Sequence, residues 1–373
     1  MRFTVRKSLA VLVALVLAGP AAAAKQTVKI GAAFSMTGGA AAYGAAQKAG
    51  VQAAIDDVNK SGMLKDITLE AVYEDDTSTK EQGIAVFQLL INKHRVSAII
   101  GPTLSNTDTA ADPLAQQSKV PVVAVSNTAP KGITDIGDYI WRVSLTEQQV
   151  ITPALKRMQA KLSFKKAAIL WGNDDTFTQA GFNVMKASLE STGIEIVGTK
   201  TFAKPDRDYN AQLTSLRALN PDILMVSALV ENAAGIVDQA RKLGWNVPIW
   251  GGNGFNSPKL IQIAGPAAEG VYVGTAWNKP SPDPVNQKFL ETMKARGVDP
   301  DQFCAQAYTG VLVIAEAIKQ AGHKGGREDI KAGFLKVKDL PTPLGKFSFL
   351  PNRDGDHLPA LQQVKDGKFQ IVH

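Results

Sequence analysis

The chain has 373 residues, with 41 Lys plus Arg against 34 Asp plus Glu and a formal charge of +7. That length allows one large or two ordinary domains, each with its own core. The charges are mixed along the chain, so the mild positive balance gives no argument for nucleic acid. A single cysteine, Cys304, excludes an internal disulfide and reads as a small buried hydrophobe.

The first segment in chain order is a leader. Arg2, Arg6 and Lys7 precede an apolar run from Leu9 to Ala18, then Gly19-Pro20 and Ala22-Ala23-Ala24. A basic start, a short apolar core and small residues at the end predict a secretory signal peptide over residues 1–24, cleaved near Ala24/Lys25. The run is too short for a membrane span, so the expected product is exported to the periplasm, monomeric, and not itself membrane-spanning.

Strand-like and helix-like segments then alternate. Val28 to Phe34 predicts a strand. Val51, Ala54, Ile55 and Val58 share one helical face, and Gly62 suits that helix's C-terminal cap. Ile67 to Glu74 predicts a strand, Ser78 and Glu81 have capping-box spacing, and a helix follows. Val96 to Gly101 and Val120 to Val125 are short apolar strands with a helix between them. Such strands suit a parallel sheet covered on both faces. The alternation restarts at Lys166–Trp171 and runs through Ile194–Phe202, Asp222–Ser227 and Val247–Trp250, with helices between. Helices near 284–296, 303–320 and 328–337 come next. Asp354-Gly355 and Asp366-Gly367 are turn signals near the end. The pattern predicts an α/β fold of two doubly wound units.

Particular residues in this order carry a family resemblance. They are Lys29-Ile30-Gly31 with Ser35-Met36-Thr37-Gly38 and Tyr43-Gly44, then Tyr73-Glu74-Asp75-Asp76, then Ile100-Gly101-Pro102 with Ser105. Pro121-Val122, Ser126-Asn127-Thr128-Ala129-Pro130 and Ile263 to Gly270 continue it. The chain resembles the type I periplasmic solute-binding proteins of ABC transporters, in the Leu/Ile/Val-binding subgroup, over essentially all of the sequence after residue 24.

The resemblance implies two α/β lobes joined by three hinge crossings, near Trp141–Ser144, Thr275–Asn278 and Gly345–Leu350. Residues 25–143 and 278–345 would form lobe I, and 144–277 with 346–373 lobe II. A ligand would bind between the lobes. Ser105 and Asn106, opening a helix, would hold its carboxylate, since helix N-termini attract anions. Ser126 and Thr128 would bind the same ligand, while Tyr43 and Phe177 would close over its apolar part from opposite lobes. Trp277 and Tyr308 are further cleft candidates, although buried packing competes for both.

Asn253 departs from the family pattern. It stands where amino-acid binders of this family carry a Glu for the ligand's ammonium, and an unpaired ion in a closed cleft is costly. Either another carboxylate takes over, with Glu231, Asp174, Asp75 and Asp76 as candidates, or the ligand lacks an ammonium group.

No Gly-x-Gly-x-x-Gly at a strand-to-helix turn, P-loop or Gly-x-Ser-x-Gly elbow occurs, and the four histidines have no metal-ligand spacing. No cofactor, metal or catalytic residue is expected. The sequence thus predicts a non-enzymatic receptor that delivers a small carboxylate-bearing ligand, a branched-chain or similar amino acid, to an inner-membrane ABC permease. The alternatives are a carboxylate or amide without an ammonium group as the ligand, and a sensor acting on a signalling partner.

Overall fold

The computed structural model describes residues 25–372, so the signal peptide expected over residues 1–24 lies outside the described residues. The first half builds β1 (Gln26–Phe34), α1 (Ala41–Ser61), β2 (Ile67–Asp75), α2 (Lys80–Gln88), β3 (Ala98–Ile100), α3 (Ser105–Gln117), β4 (Val122–Ala124) and β5 (Ile140–Arg142). These strands form one parallel sheet in the order β2-β1-β3-β4-β5.

The chain continues with α4 (Glu147–Leu162), β6 (Lys166–Gly172), α5 (Thr176–Ser191), β7 (Glu195–Phe202), α6 (Asn210–Arg217), β8 (Ile223–Ser227), α7 (Val230–Lys242), β9 (Ile249–Gly251), α8 (Lys259–Ala264) and β10 (Tyr272–Thr275). It ends with α9 (Pro284–Ala295), α10 (Gln302–Gln320), α11 (Arg327–Phe334), β11 (Leu340–Thr342), β12 (Gly345–Phe349), β13 (Gly355–Asp356), β14 (Ala360–Lys365) and β15 (Lys368–Ile371). The second sheet runs β7-β6-β8-β9-β10 in parallel, the same winding as the first, and the antiparallel hairpin β14–β15 extends it. Each sheet reverses its strand order once, at β1/β3 and at β6/β8, and such reversals open crevices at the carboxyl ends of the strands.

Both sheets are covered on both faces, which explains their continuous apolar strands. Phe87, Leu90 and Ala111 of the α2–α3 side pack on one face of the first sheet, and Val51, Phe289, Ile314 and Phe334 on the other. In the second sheet, α4 and α5 lie on one face and α6, α7 and α8 on the other. The last of these cores also takes in Ala40, Tyr43, Leu104 and Phe303 from the first lobe, so apolar packing is continuous across the cleft.

Local signals held in some places and slipped in others. Gly62 caps α1 with φ +70°, and Asp366-Gly367 turns the last hairpin with φ +53° and +68°, as a two-residue hairpin turn demands. The α2 cap is Thr79, which accepts from the Gln82 N–H, one residue beyond the Ser78 expected. Helix α4, which carries Pro153 inside it, is not among the expected elements, although Thr146 and Gln149 form a reciprocal capping box at its start. Phe347 is buried in the first core and Phe349 packs 4.8 Å from Trp141, so β12 belongs with the first lobe, and the chain joins the second sheet at β14.

Candidate functional site

The two crevices face each other. Ser105 opens α3 close behind β3, and Ser126 follows β4 closely, so two carboxyl-end loops of one sheet converge. A closed network fixes them. Thr103 Oγ1 donates to Gln47 Oε1 at 2.6 Å, Gln47 Nε2 donates to Ser126 Oγ at 2.8 Å, and Ser126 Oγ donates to the Thr103 carbonyl at 2.7 Å. Ser105 is buried, and its hydroxyl has no protein partner among the described hydrogen bonds, leaving it free to donate into the cleft. Asp108, in the first turn of α3, does not oppose an anion there. Burial first, and then the neighbouring Asp112, hold its carboxyl well above the usual range, which favours its neutral form.

The second lobe supplies Phe177, Leu229, Asn253 and Gly254. With Tyr43, Thr103, Leu104, Ser105, Ser126 and Phe303 they line a cavity of about 20 Å³. Its lining is apolar and hydroxyl-bearing, with no acidic side chain among the described residues. Room for about one water is too little for an amino acid or a benzoate, so a ligand enters only when the walls part. Gly254 is required at this wall, because a Cβ there would stand 2.2 Å from the Ala228 carbonyl oxygen.

Three side chains tie the walls together. Tyr43 Oη donates to the Gly254 carbonyl at 2.8 Å and accepts from the Val230 N–H at 2.7 Å. Burial pushes that phenol far up, so it remains protonated. Asn106 Nδ2 donates to Asp175 Oδ2 at 2.9 Å, and its Oδ1 accepts from the Thr176 N–H at 2.8 Å. Asn253 Oδ1 accepts from Gln302 Nε2 at 2.7 Å, and its Nδ2 reaches the Ser126 carbonyl at 3.5 Å. The described conformation is therefore a closed one.

Of the expected contacts, Tyr43, Ser105, Ser126, Phe177 and Asn253 meet at this cavity, whereas Asn106 and Thr128 do not line it. Asn106 is spent on the cross-lobe clasp, and Thr128 Oγ1 donates to Glu147 Oε1 at 2.8 Å. The substitutes proposed for a missing Glu lie elsewhere. Glu231 is 46% exposed and pairs with Arg207 at 3.5 Å, and Asp174 accepts from the Lys204 N–H in an exposed loop. Asp75 accepts from the Met36 N–H, and Asp76 accepts from the Ser35 hydroxyl and the Ser78 N–H, so both tie the loop after β1 to the loop after β2. Trp277 is buried with its Nε1 on Asn286, and Tyr308 donates to Asp57. Each has a polar partner away from the cavity.

Sequence reasoning missed Thr103, Leu104, Leu229, Gly254 and Phe303, whose place follows from chain parts far apart in sequence. It also missed Glu147. That residue opens α4, is 1% exposed, and its burial pushes the carboxyl up to about 7. The carboxylate faces the Thr128 hydroxyl and the Asn253 backbone N–H. The loop holding Thr128 is fixed from below by Arg142, fully buried, which donates to the carbonyls of Asn127 and Ala129 and pairs with Asp354 at 2.6 Å.

Two equally wound lobes closing on a hydroxyl-lined cleft define a hinged solute receptor. The family described as periplasmic binding protein matches residues 27–368, and the chain belongs to it. Members of that family are solute-binding proteins of ABC transporters, not enzymes. One relative, the leucine-, isoleucine-, valine-, threonine- and alanine-binding protein of Pseudomonas aeruginosa, is 26% identical over 87% of this chain and 86% of its own. A branched-chain amino acid transporter substrate-binding protein from Streptococcus pneumoniae, solved with isoleucine, is 28% identical with TM-score 0.87, covering 93% of this chain and 99% of that one. A leucine-binding protein from Thermotoga maritima is 28% identical with TM-score 0.86, covering 93% and 98%. No helix among the described residues is long and apolar enough to cross a membrane.

Proposed function

We propose that this chain, exported to the periplasm after loss of residues 1–24, is the substrate-binding component of an ABC importer and captures a small carboxylate with an apolar body. Ser105 at the start of α3 would take the carboxylate, with Ser126 beside it. Tyr43, Phe177 and Phe303 would enclose the apolar part. Lobe I would pair residues 25–143 with the segment from 278 through β13, and lobe II would hold the rest. Ligand contacts from both walls favour the closed form, which an inner-membrane permease then recognises.

The observation that carries this reading is the lining itself. A free hydroxyl at a helix N-terminus faces an apolar cavity that offers an ammonium no acidic side chain. Acids without an ammonium group are therefore the best-supported ligands. A branched-chain amino acid is the second reading. The names of the relatives support it, and Glu147, a buried carboxyl against Asn253, is a source of negative charge close by.

Thermal unfolding against L-leucine, 4-methylpentanoate, benzoate and leucinamide tests both. A ligand at 100 times its Kd adds about 2.7 kcal/mol of stability. We expect shifts with the two plain acids, and Ser105→Ala should weaken them by about 1–3 kcal/mol as a charged acceptor loses its donor. Asn253→Glu should turn preference toward leucine over 4-methylpentanoate. A shift with leucinamide equal to that with the acids sinks the carboxylate reading.

A further inference from the structure

Glu147 is a buried carboxyl that capture of a plain acid does not use. It occupies the first turn after the first crossing, where the lobes part company. Its own N–H donates to the Thr128 carbonyl at 2.8 Å, and its Oε1 accepts from the Thr128 hydroxyl at 2.8 Å. Its carboxylate also faces the Asn253 N–H, and Oε2 lies beside Gly252, where a Cβ would stand 3.5 Å away. One side chain thus touches the ligand loop of each lobe, and both loops help to bury it. We propose that Glu147 is a positioning residue that joins the Thr128 and Asn253 loops on closure and takes up one proton as they meet.

The proton comes from solvent and rests on Oε2, while Oε1 keeps the Thr128 hydrogen bond. What packs against the carboxyl brings it no charge. The Thr128 loop offers a hydroxyl, Gly252 and Asn253 offer backbone, α5 offers Met185 near the same spot, and no charged side chain among the described residues shifts it.

The sign follows from burial. In the closed form the carboxyl titrates at about 7, against 4.5 for an exposed Glu; on the proposal, opening moves it toward the exposed value. A group whose affinity for protons rises on closure favours closure at low pH. That contribution is complete below pH 4.5 and is lost as pH rises through about 7, changing the closed-to-open ratio by at most about tenfold per pH unit.

The inference rests on the cleft being the ligand site, and the experiment separates the two. Small-angle X-ray scattering of the ligand-free protein between pH 4.5 and 8 reads closure with no ligand identified. We expect wild type to expand as pH rises and Glu147→Gln, a neutral isostere, to stay compact throughout. Glu147→Asp should keep the pH response with a weaker closed form, which a merely structural role does not predict. Thermal unfolding at pH 5 checks that each variant is folded. A pH response in Glu147→Gln matching wild type, or none in wild type, overturns the proposal. In parallel, benzoate and leucine binding to Ser105→Ala tests the cleft. Unchanged affinity there, with the scattering result intact, removes the ligand site and leaves the Glu147 role standing.

Discussion

The two walls of the cleft are built to different rules. The first-lobe wall is a wired polar surface. Ser126, Thr103 and Gln47 hydrogen-bond in a ring, and Arg142 braces the loop from below. The second-lobe wall is Phe177, Leu229 and close backbone at Gly254, with Asn253 as its one polar side chain. The first wall is therefore preorganised for charge before any ligand arrives, whereas the second supplies shape and completes the site only when it docks. Recognition of a head group and enclosure of a body are thus divided between lobes, and closure is the step that combines them.

The largest test of this division is Arg142→Met. It leaves Asp354 buried without its partner and frees the carbonyls of Asn127 and Ala129, so we expect a loss of about 3–5 kcal/mol by chemical denaturation. The loss should fall on the first wall's loop, seen as faster amide exchange at residues 126–130. A fall in stability without that local exchange breaks the claim of preorganisation.

Tyr43→Phe asks how closely the second wall depends on docking. It removes a hydroxyl that serves both the Gly254 carbonyl and the Val230 N–H, and we expect the closed form to lose about 1–3 kcal/mol. Ligand dissociation should speed up while association is nearly unchanged. Asn106→Ala is the mildest. It deletes the clasp to Asp175 and Thr176, with about 1 kcal/mol expected for each hydrogen bond, and it touches no cavity-lining group. Equal weakening for every ligand would mark it as a clasp, and ligand-dependent weakening would restore Asn106 as a direct contact.

The sequence by itself determined the two doubly wound units, through apolar strands alternating with helical faces, and it placed Ser105 and Ser126 at strand ends where one sheet brings them together. Both signals are local: a strand covered on two faces must be apolar throughout, and the residues after it must turn. Tertiary structure decided what the polar side chains near the cleft do. Asn106 and Thr128 carry donors suited to a ligand, yet each is closer to a protein partner, Asp175 and Glu147, than to the cavity. Glu147 reads as an ordinary acidic residue in a helix's first turn, favourable to the helix dipole. Its burial comes from neighbours on both sides, Thr128 on one and Gly252, Asn253 and Met185 on the other, and Gly252 and Asn253 lie more than a hundred residues further along the chain.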